Sequence, residues 1–215
     1  MRQKAYYPIN VDLEGRKCLV VGGGDVAERK VQTLLSFGAT VTLVSPEITP
    51  KISALVKAKK IFYIKRGYQK KDLKDVFLVI AATDVPEVNA QVARHAESRN
   101  LLLNVVDVPK LCNFIVPSVV RRGPLTIGIS TGGQSPMFAQ MWRKKCEKCL
   151  TPAHVAFLKM LGGTRKEVRV KHVTMAKCKV VYRKILNSPV LSLLQKDKPR
   201  EAKILLRKII RKGSL

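Results

Sequence analysis

The chain has 215 residues, 46% of them apolar, and 41 basic residues against 15 acidic ones give a net charge of +26. That apolar share excludes wholesale disorder. With no hydrophobic leader and no apolar run near ~18 residues, the sequence predicts neither a secretory signal nor a membrane span. Five cysteines, an odd number, point to reduced thiols and a cytoplasmic protein.

Residues 16–21 end in an apolar run that stops at three glycines, and a helical pattern follows over 25–37 with Gly38 as its stop. Thr40–Val44 reads as a β-branched strand closed by Ser45-Pro46. Ile52–Lys59 suits a helix, Ile61–Lys65 a strand and Lys71–Asp75 a helical turn. Val76–Ala82 is almost wholly apolar, as a strand buried on both faces should be. Pro86–Arg99 is helical and Leu101–Val106 is another apolar strand. Strands alternating with helices at this spacing predict an α/β fold with a parallel, doubly wound, Rossmann-like sheet.

Beyond Asp107 the texture changes. Phe114–Val120 and Leu125–Ser130 read as two short strands, and after Pro136 the pattern is helical to the end. Breaks are expected at Thr151-Pro152, Gly162-Gly163, Ser188-Pro189 and Lys198-Pro199. The predicted organisation is an α/β domain over 1–113, a small α+β linking region over 114–150 and a basic helical domain over 151–215. The charge is lopsided: residues 1–113 carry a net +7 and residues 114–215 a net +19. Such an excess points to a polyanion near the C-terminal half or to a nucleic-acid or membrane surface; a general basic bias of the source's proteins is the bland alternative.

Three segments carry candidate chemistry. Gly22-Gly23-Gly24-Asp25-Val26-Ala27 matches G-x-G-x-x-A between a strand and a helix. Gly22 permits the tight turn, Gly24 lets a pyrophosphate approach the backbone, and Ala27 lets the helix pack closely. The acidic residue expected at the end of the second strand is not plain: either Ser45 and the local backbone hold the ribose or Glu47 reaches back past Pro46. No Arg stands there for a 2′-phosphate, so NAD is favoured over NADP. Asp107 follows a strand at the edge where open α/β sheets bind ligands, and can take a proton from a substrate; otherwise it is a turn residue ahead of Pro109. Ser130-Thr131-Gly132-Gly133 brings hydroxyls and free amides just before a helix, an arrangement that can hold carboxylates or simply cap the helix.

Other residues carry less. Cys146-x-x-Cys149 lies in a helical, Lys-rich stretch with no second pair to complete a zinc site, and no metal ligand is assigned. His95, His154 and His172 stand singly and read as structural or surface residues, and Trp142 reads as packing.

Residues 6–150 resemble the precorrin-2 dehydrogenase/sirohydrochlorin ferrochelatase family, the N-terminal module of sirohaem synthases. The resemblance runs through Tyr7-Pro8-Ile9, Leu13-Glu14-Gly15-Arg16, Val20 to Lys30, Ala81-Ala82-Thr83-Asp84 with Asn89, and Asn104 to Asp107. It continues through Phe114 to Ser118 and Ser130 to Pro136. It implies a homodimer with active sites at the dimer interface and NAD along Gly22–Val26, Ser45–Glu47 and Thr83. It also makes Asp107 the match to the family's catalytic aspartate, which serves dehydrogenation of precorrin-2 and, in bifunctional members, chelation. Thr131 departs from the Ser of many members, and 151–215 match only loosely. An octacarboxylate substrate suits the basic C-terminal half. The rival from another class is an NAD-sensing regulator with a basic, DNA-binding tail, although no helix-turn-helix pattern is visible and nucleic acid is not the expected partner.

Overall fold

The structure, a computed structural model, describes residues 5–171 and 174–212. It divides into two compact units, Met1–Val116 and Pro117–Leu215. The first unit is a five-stranded sheet built from β1 (Lys17–Val21), β2 (Thr40–Val44), β3 (Phe62–Ile64), β4 (Leu78–Ala81) and β5 (Leu102–Val105). The order is β3-β2-β1-β4-β5, and every pairing is parallel. Helices α1 (Asp25–Ser36), α2 (Pro50–Lys57) and α3 (Pro86–Glu97) make the crossovers.

Alternation along the strands explains the two cores. Cys18 and Val20 of β1 join Ala27, Val31 and Leu34 of α1 and Ile52 of α2 on one face. Leu19 and Val21 join Val92, Ala93 and Ala96 of α3 on the other. All four residues of β4 are buried, as a strand sandwiched between helix layers requires. The parallel Rossmann-like sheet expected from the sequence is what the chain forms.

The second unit opens with an antiparallel hairpin, β6 (Ser118–Arg122) and β7 (Leu125–Ile129), turning at Gly123 in the left-handed region. Helix α4 (Pro136–Cys149) follows, then α5 (Pro152–Lys171), α6 (Met175–Leu186), α7 (Val190–Gln195) and α8 (Pro199–Lys212). Phe157, Val168, Cys178, Val181, Ile185, Val190, Ala202, Leu206 and Ile210 close the helical core. Among the described residues no helix is long and apolar enough to cross a membrane.

Two expectations need correction. The strand expected over Phe114–Val120 begins only at Ser118. Asn113 and Phe114 are instead fastened to β5, through Asn113 N–H to the Leu103 carbonyl at 3.1 Å and Asn104 Nδ2 to the Phe114 carbonyl at 3.2 Å. Gly162-Gly163 does not interrupt the chain, since α5 passes through both. Buried Phe157 and Val168, on the same face about three turns apart, hold the helix across them. A new helix opens instead at Thr174, whose hydroxyl caps α6 by accepting from Lys177 N–H at 3.3 Å. Trp142 packs edge-on against Phe138, as expected, while staying 44% exposed. His172 lies outside the described residues.

Candidate functional site

The glycine turn joins β1 to α1, and its three glycines face different surroundings. Gly22 has φ +114°, and a Cβ there would lie 2.1 Å from the Ala82 carbonyl oxygen. Gly23, an unspecified position in the motif, is as tight: a Cβ would lie 1.9 Å from the Glu47 carbonyl oxygen and 2.8 Å from Ser45 Oγ. Gly24 faces open space, with nothing within 4 Å of a Cβ. It N-caps α1 without a side-chain bond, so the first N–H groups of that helix are free to meet an anion. Asp25 follows it at the surface, Val26 is half-buried and Ala27 is fully buried. The first two glycines are required by the protein itself, and the third leaves a cradle open.

The loop after β2 is held from below. Ser45 is buried, while Pro46 and Glu47 are exposed. The Tyr63 hydroxyl of β3 donates toward the carbonyls of Ser45 at 3.0 Å and Pro46 at 3.3 Å. Burial, reinforced by the Glu47 carboxylate, raises the Tyr63 pKa above its usual value. The Thr49 N–H donates to the Gly23 carbonyl at 3.0 Å, which ties this loop to the glycine turn. The Thr49 hydroxyl in turn donates to Glu28 Oε2 of α1 at 2.8 Å, and Lys51 Nζ lies 3.1 Å from the other carboxylate oxygen. The Thr49 bond chiefly holds the buried Glu28 carboxyl below the usual carboxylate range, against the cost of burial and with help from Lys51. Arg66, just past the end of β3, is engaged with Asp72 through two bonds of 2.8 and 2.6 Å.

After β4, the Thr83 hydroxyl lies 2.9 Å from Asn89 Oδ1 and 3.1 Å from the Val85 carbonyl and accepts from Val85 N–H. It is therefore spent on joining the loop to α3, and only the Thr83 backbone faces the glycine turn, 3.1 Å from a Cβ on Gly22.

Asp107 stands where the sequence places it. Val106 N–H makes the last ladder bond, to the Ala81 carbonyl at 2.9 Å. Asp107 comes next, exposed and at φ +59°, a conformation Asp tolerates better than most residues. The turn that carries it rests on a buried thiol. Cys112 Sγ accepts from Val105 N–H at 3.2 Å and lies 3.2 Å from the Val105 carbonyl and 3.4 Å from that of Val108. Lys30 of α1 is half-buried. Burial and then Arg29 lower its pKa, while Asp107 and Cys112 act in the opposite sense.

Ser130, Thr131, Gly132 and Gly133 belong to the other unit. There the Thr131 hydroxyl closes the loop, accepting from Ser135 N–H at 3.0 Å and donating to the Ser135 carbonyl at 3.2 Å. Ser130 Oγ accepts from Gly132 N–H at 3.1 Å. Gly132 and Gly133 adopt φ +64° and +86°. Ser135 caps α4. The loop role is thus realised for these hydroxyls, with the helix cap supplied by Ser135, and Gly133 has open space around it.

His95 meets the Tyr68 hydroxyl at 3.2 Å, and His154 Nδ1 lies 2.9 Å from the Thr151 hydroxyl at the start of α5. Cys146 and Cys149 are free thiols on α4. Among the described residues no group of three His, Cys, Asp or Glu could hold a metal ion.

A glycine turn with an open helix N-cap on a 3-2-1-4-5 sheet has clear counterparts. Residues 9–118 match an NAD(P)-binding family model, over half of the chain, and residues 122–148 match the central region of sirohaem biosynthesis proteins. The chain belongs to this NAD(P)-binding family. It is 39% identical over 189 residues to a sirohaem synthase of Methylobacillus flagellatus, covering 86% of this chain and 40% of that relative. It is 35% identical to one of Pseudomonas entomophila, over 95% of this chain and 44% of the relative. The chain therefore spans less than half the length of these relatives. A solved structure of SirC, precorrin-2 dehydrogenase, superposes with TM-score 0.76 at 24% identity, over 94% of this chain and all of its own. The two share a fold.

Sequence reasoning singled out Gly22, Gly24 and Asp107 as candidates but gave no role to Gly23, Tyr63 and Cys112. Only Gly23 had a visible signal, being a third consecutive glycine where the motif asks for two. Tyr63 and Cys112 act through contacts that no spacing rule encodes.

Proposed function

We propose that the protein is an NAD-dependent precorrin-2 dehydrogenase of tetrapyrrole biosynthesis, acting in the cytoplasm on the way to sirohydrochlorin. The observation that carries the proposal is the joint placement, at one sheet edge, of the open cradle over Gly24 and the exposed Asp107 carboxylate just past β5. The family membership and the sirohaem synthase relatives support the choice of substrate.

The residues fit a dinucleotide. The free N–H groups at the start of α1 would hold its pyrophosphate beside Gly22, Gly24, Asp25 and Val26, and Ser45–Glu47 would lie against the ribose. The Thr83 backbone would line the same edge. No arginine follows β2 in Ser45–Glu47 to select a 2′-phosphate, and Arg66, past β3, is taken by Asp72; this favours NAD over NADP. When bound, NAD supplies the hydride acceptor. Asp107 takes the accompanying proton from the macrocycle, and the exposed carboxylate is open to bulk water, to which that proton can pass. The division into a nucleotide domain over 1–113, a dimerisation region over 114–150 and a basic helical domain over 151–215 is part of the same proposal. The net +19 of residues 114–215 would gather the polycarboxylate substrate, with Ser130–Gly133 offering backbone N–H groups.

A homodimer is supported by α4, where Met137, Phe138, Met141 and Trp142 are 82%, 52%, 41% and 44% exposed. Their spacing puts them along one side of the helix. Four large apolar side chains on one helix face are more than a lone surface residue needs explaining.

Asp107→Asn tests the chemistry. It keeps the left-handed tolerance and most of the hydrogen bonding but removes the basicity. Folding and NAD binding should stay at wild-type values, while anaerobic precorrin-2 oxidation falls by roughly 10²–10⁴-fold. Near-normal turnover in the folded variant would show that another group takes the proton.

A further inference from the structure

Helix α1 carries different charges on its two flanks. Ala27, Val31 and Leu34 form the stripe that lies on the sheet, none more than 5% exposed. About 100° round from Ala27, Glu28 turns toward β2 and meets Thr49 and Lys51 at the start of α2. Lys30 lies about 60° round in the opposite sense. It therefore faces the other way, toward the side of β1 on which β4 and β5 lie. Asp107 emerges on that side, and its carboxylate favours the charged form of Lys30.

Lys30 is half-buried, yet none of the ion pairs within 4.0 Å among the described residues includes it. A partly desolvated ammonium without a close counter-ion is unfavourable, and an anion brought from outside offsets that cost. The site also has a problem that Lys30 solves. A catalytic carboxylate has to approach a substrate that itself bears many carboxylates, and like charges repel unless a cation lies between them.

We propose that Lys30 binds a peripheral carboxylate of the tetrapyrrole beside Asp107, and so fixes which edge of the macrocycle meets the proton-accepting group. The inference rests on the precorrin-2 reading above. It makes Lys30 a substrate-binding residue placed on the same helix that receives the pyrophosphate.

The test uses the full chain as wild type, Lys30→Gln and Lys30→Arg, with sirohydrochlorin as the binding probe and precorrin-2 as the substrate, both under anaerobic conditions. Lys30→Gln should weaken sirohydrochlorin binding and raise KM about tenfold, the usual scale for a lost charged hydrogen bond. Its kcat should change less, its NAD affinity should not change, and Lys30→Arg should recover most of the loss. The pH profile adds a second readout. Burial and Arg29 disfavour the charged Lys30, opposed by Asp107 and Cys112. Sirohydrochlorin binding to the wild type should therefore weaken with rising pH earlier than an exposed lysine would titrate, and Lys30→Gln should lack that limb.

Wild-type sirohydrochlorin affinity in folded Lys30→Gln overturns the proposal, as does an equal loss of NAD affinity, which would make Lys30 a cofactor residue. The two readings fail separately. A wild-type protein that neither binds sirohydrochlorin nor oxidises precorrin-2 removes the activity and this proposal with it, whereas an unaffected Lys30→Gln removes this proposal alone.

Discussion

The three glycines allow protein packing to be separated from ligand packing by one methyl group at a time. In Gly23→Ala the new carbon would sit 1.9 Å from the Glu47 carbonyl oxygen, about 1.5 Å short of the 3.4 Å at which ordinary contact begins. The obstruction is backbone, and that loop is pinned by Tyr63 and by Thr49 N–H on Gly23 itself, so it cannot retreat freely. Overpacking of this kind costs about 1–3 kcal/mol, which lowers Tm by on the order of 5–15 °C for a unit of this size. In Gly24→Ala the methyl meets nothing within 4 Å and φ is −80°, so stability should change by less than ~1 kcal/mol. That methyl instead occupies the space proposed for the pyrophosphate, and the same overpacking scale predicts a Kd for NAD raised roughly 10–100-fold. Thermal unfolding and titration calorimetry on the two variants make the comparison. Wild-type Tm in Gly23→Ala, or wild-type NAD affinity in Gly24→Ala, would refute the assignment of one glycine to the fold and the other to the cofactor.

Cys112→Ala removes the thiol from beneath the Asp107 turn; stability should drop by about 1–3 kcal/mol, and kcat should fall while NAD affinity, measured by calorimetry, holds. Glu28 has a folded-state pKa below the ordinary carboxylate range, mainly through the Thr49 hydroxyl. Its stabilising effect is therefore complete above that ordinary range and is lost as pH falls through the lower folded value. Denaturant unfolding across acid pH should give a flatter stability curve for Glu28→Gln than for wild type, and identical slopes would count against the Thr49 link. On α4, Trp142→Glu places a charge on the exposed apolar face, and light scattering should then find monomers where the wild type is dimeric; a wild-type protein that is monomeric at micromolar concentration would dispose of the dimer.

The sheet was legible because each central strand is a short apolar run ended by glycine, proline or polar residues, and burial on both faces leaves little room for another reading. Asp107 was legible for the same reason: the run Leu101–Val106 ends where the polar residue begins. Phe114–Val120 looked like the next such run, but its first residues serve β5. Asn113 and Asn104 supply side-chain bonds to backbone groups about ten residues away, and this pairing is invisible to a period-two pattern. At Gly162-Gly163 local propensity predicted a stop, yet two glycines cost a helix only about 2 kcal/mol relative to alanine. Buried Phe157 and Val168 on either side can offset that.

At the candidate site, residues that face a ligand and residues that hold those residues are written into the chain differently. Ligand-facing groups cluster in contiguous segments, because a turn presents neighbouring backbone groups to one small molecule. Gly22–Val26 and Asp107 were singled out as candidates that way. Their supports come from elsewhere in the sequence: Tyr63 reaches Ser45 across 18 residues, and Thr49 reaches Glu28 across 21. Only the sheet order brings them together. Gly23 belongs to both groups, since it sits inside the motif but is required by Glu47 rather than by a ligand. Thr131 shows the converse. Its place in a family segment marks it as a substrate contact, yet its hydroxyl already bonds both the N–H and the carbonyl of Ser135, so its first task is to shape the loop. A serine there could make the same two bonds, which is why the exchange of Ser for Thr leaves the loop's architecture intact.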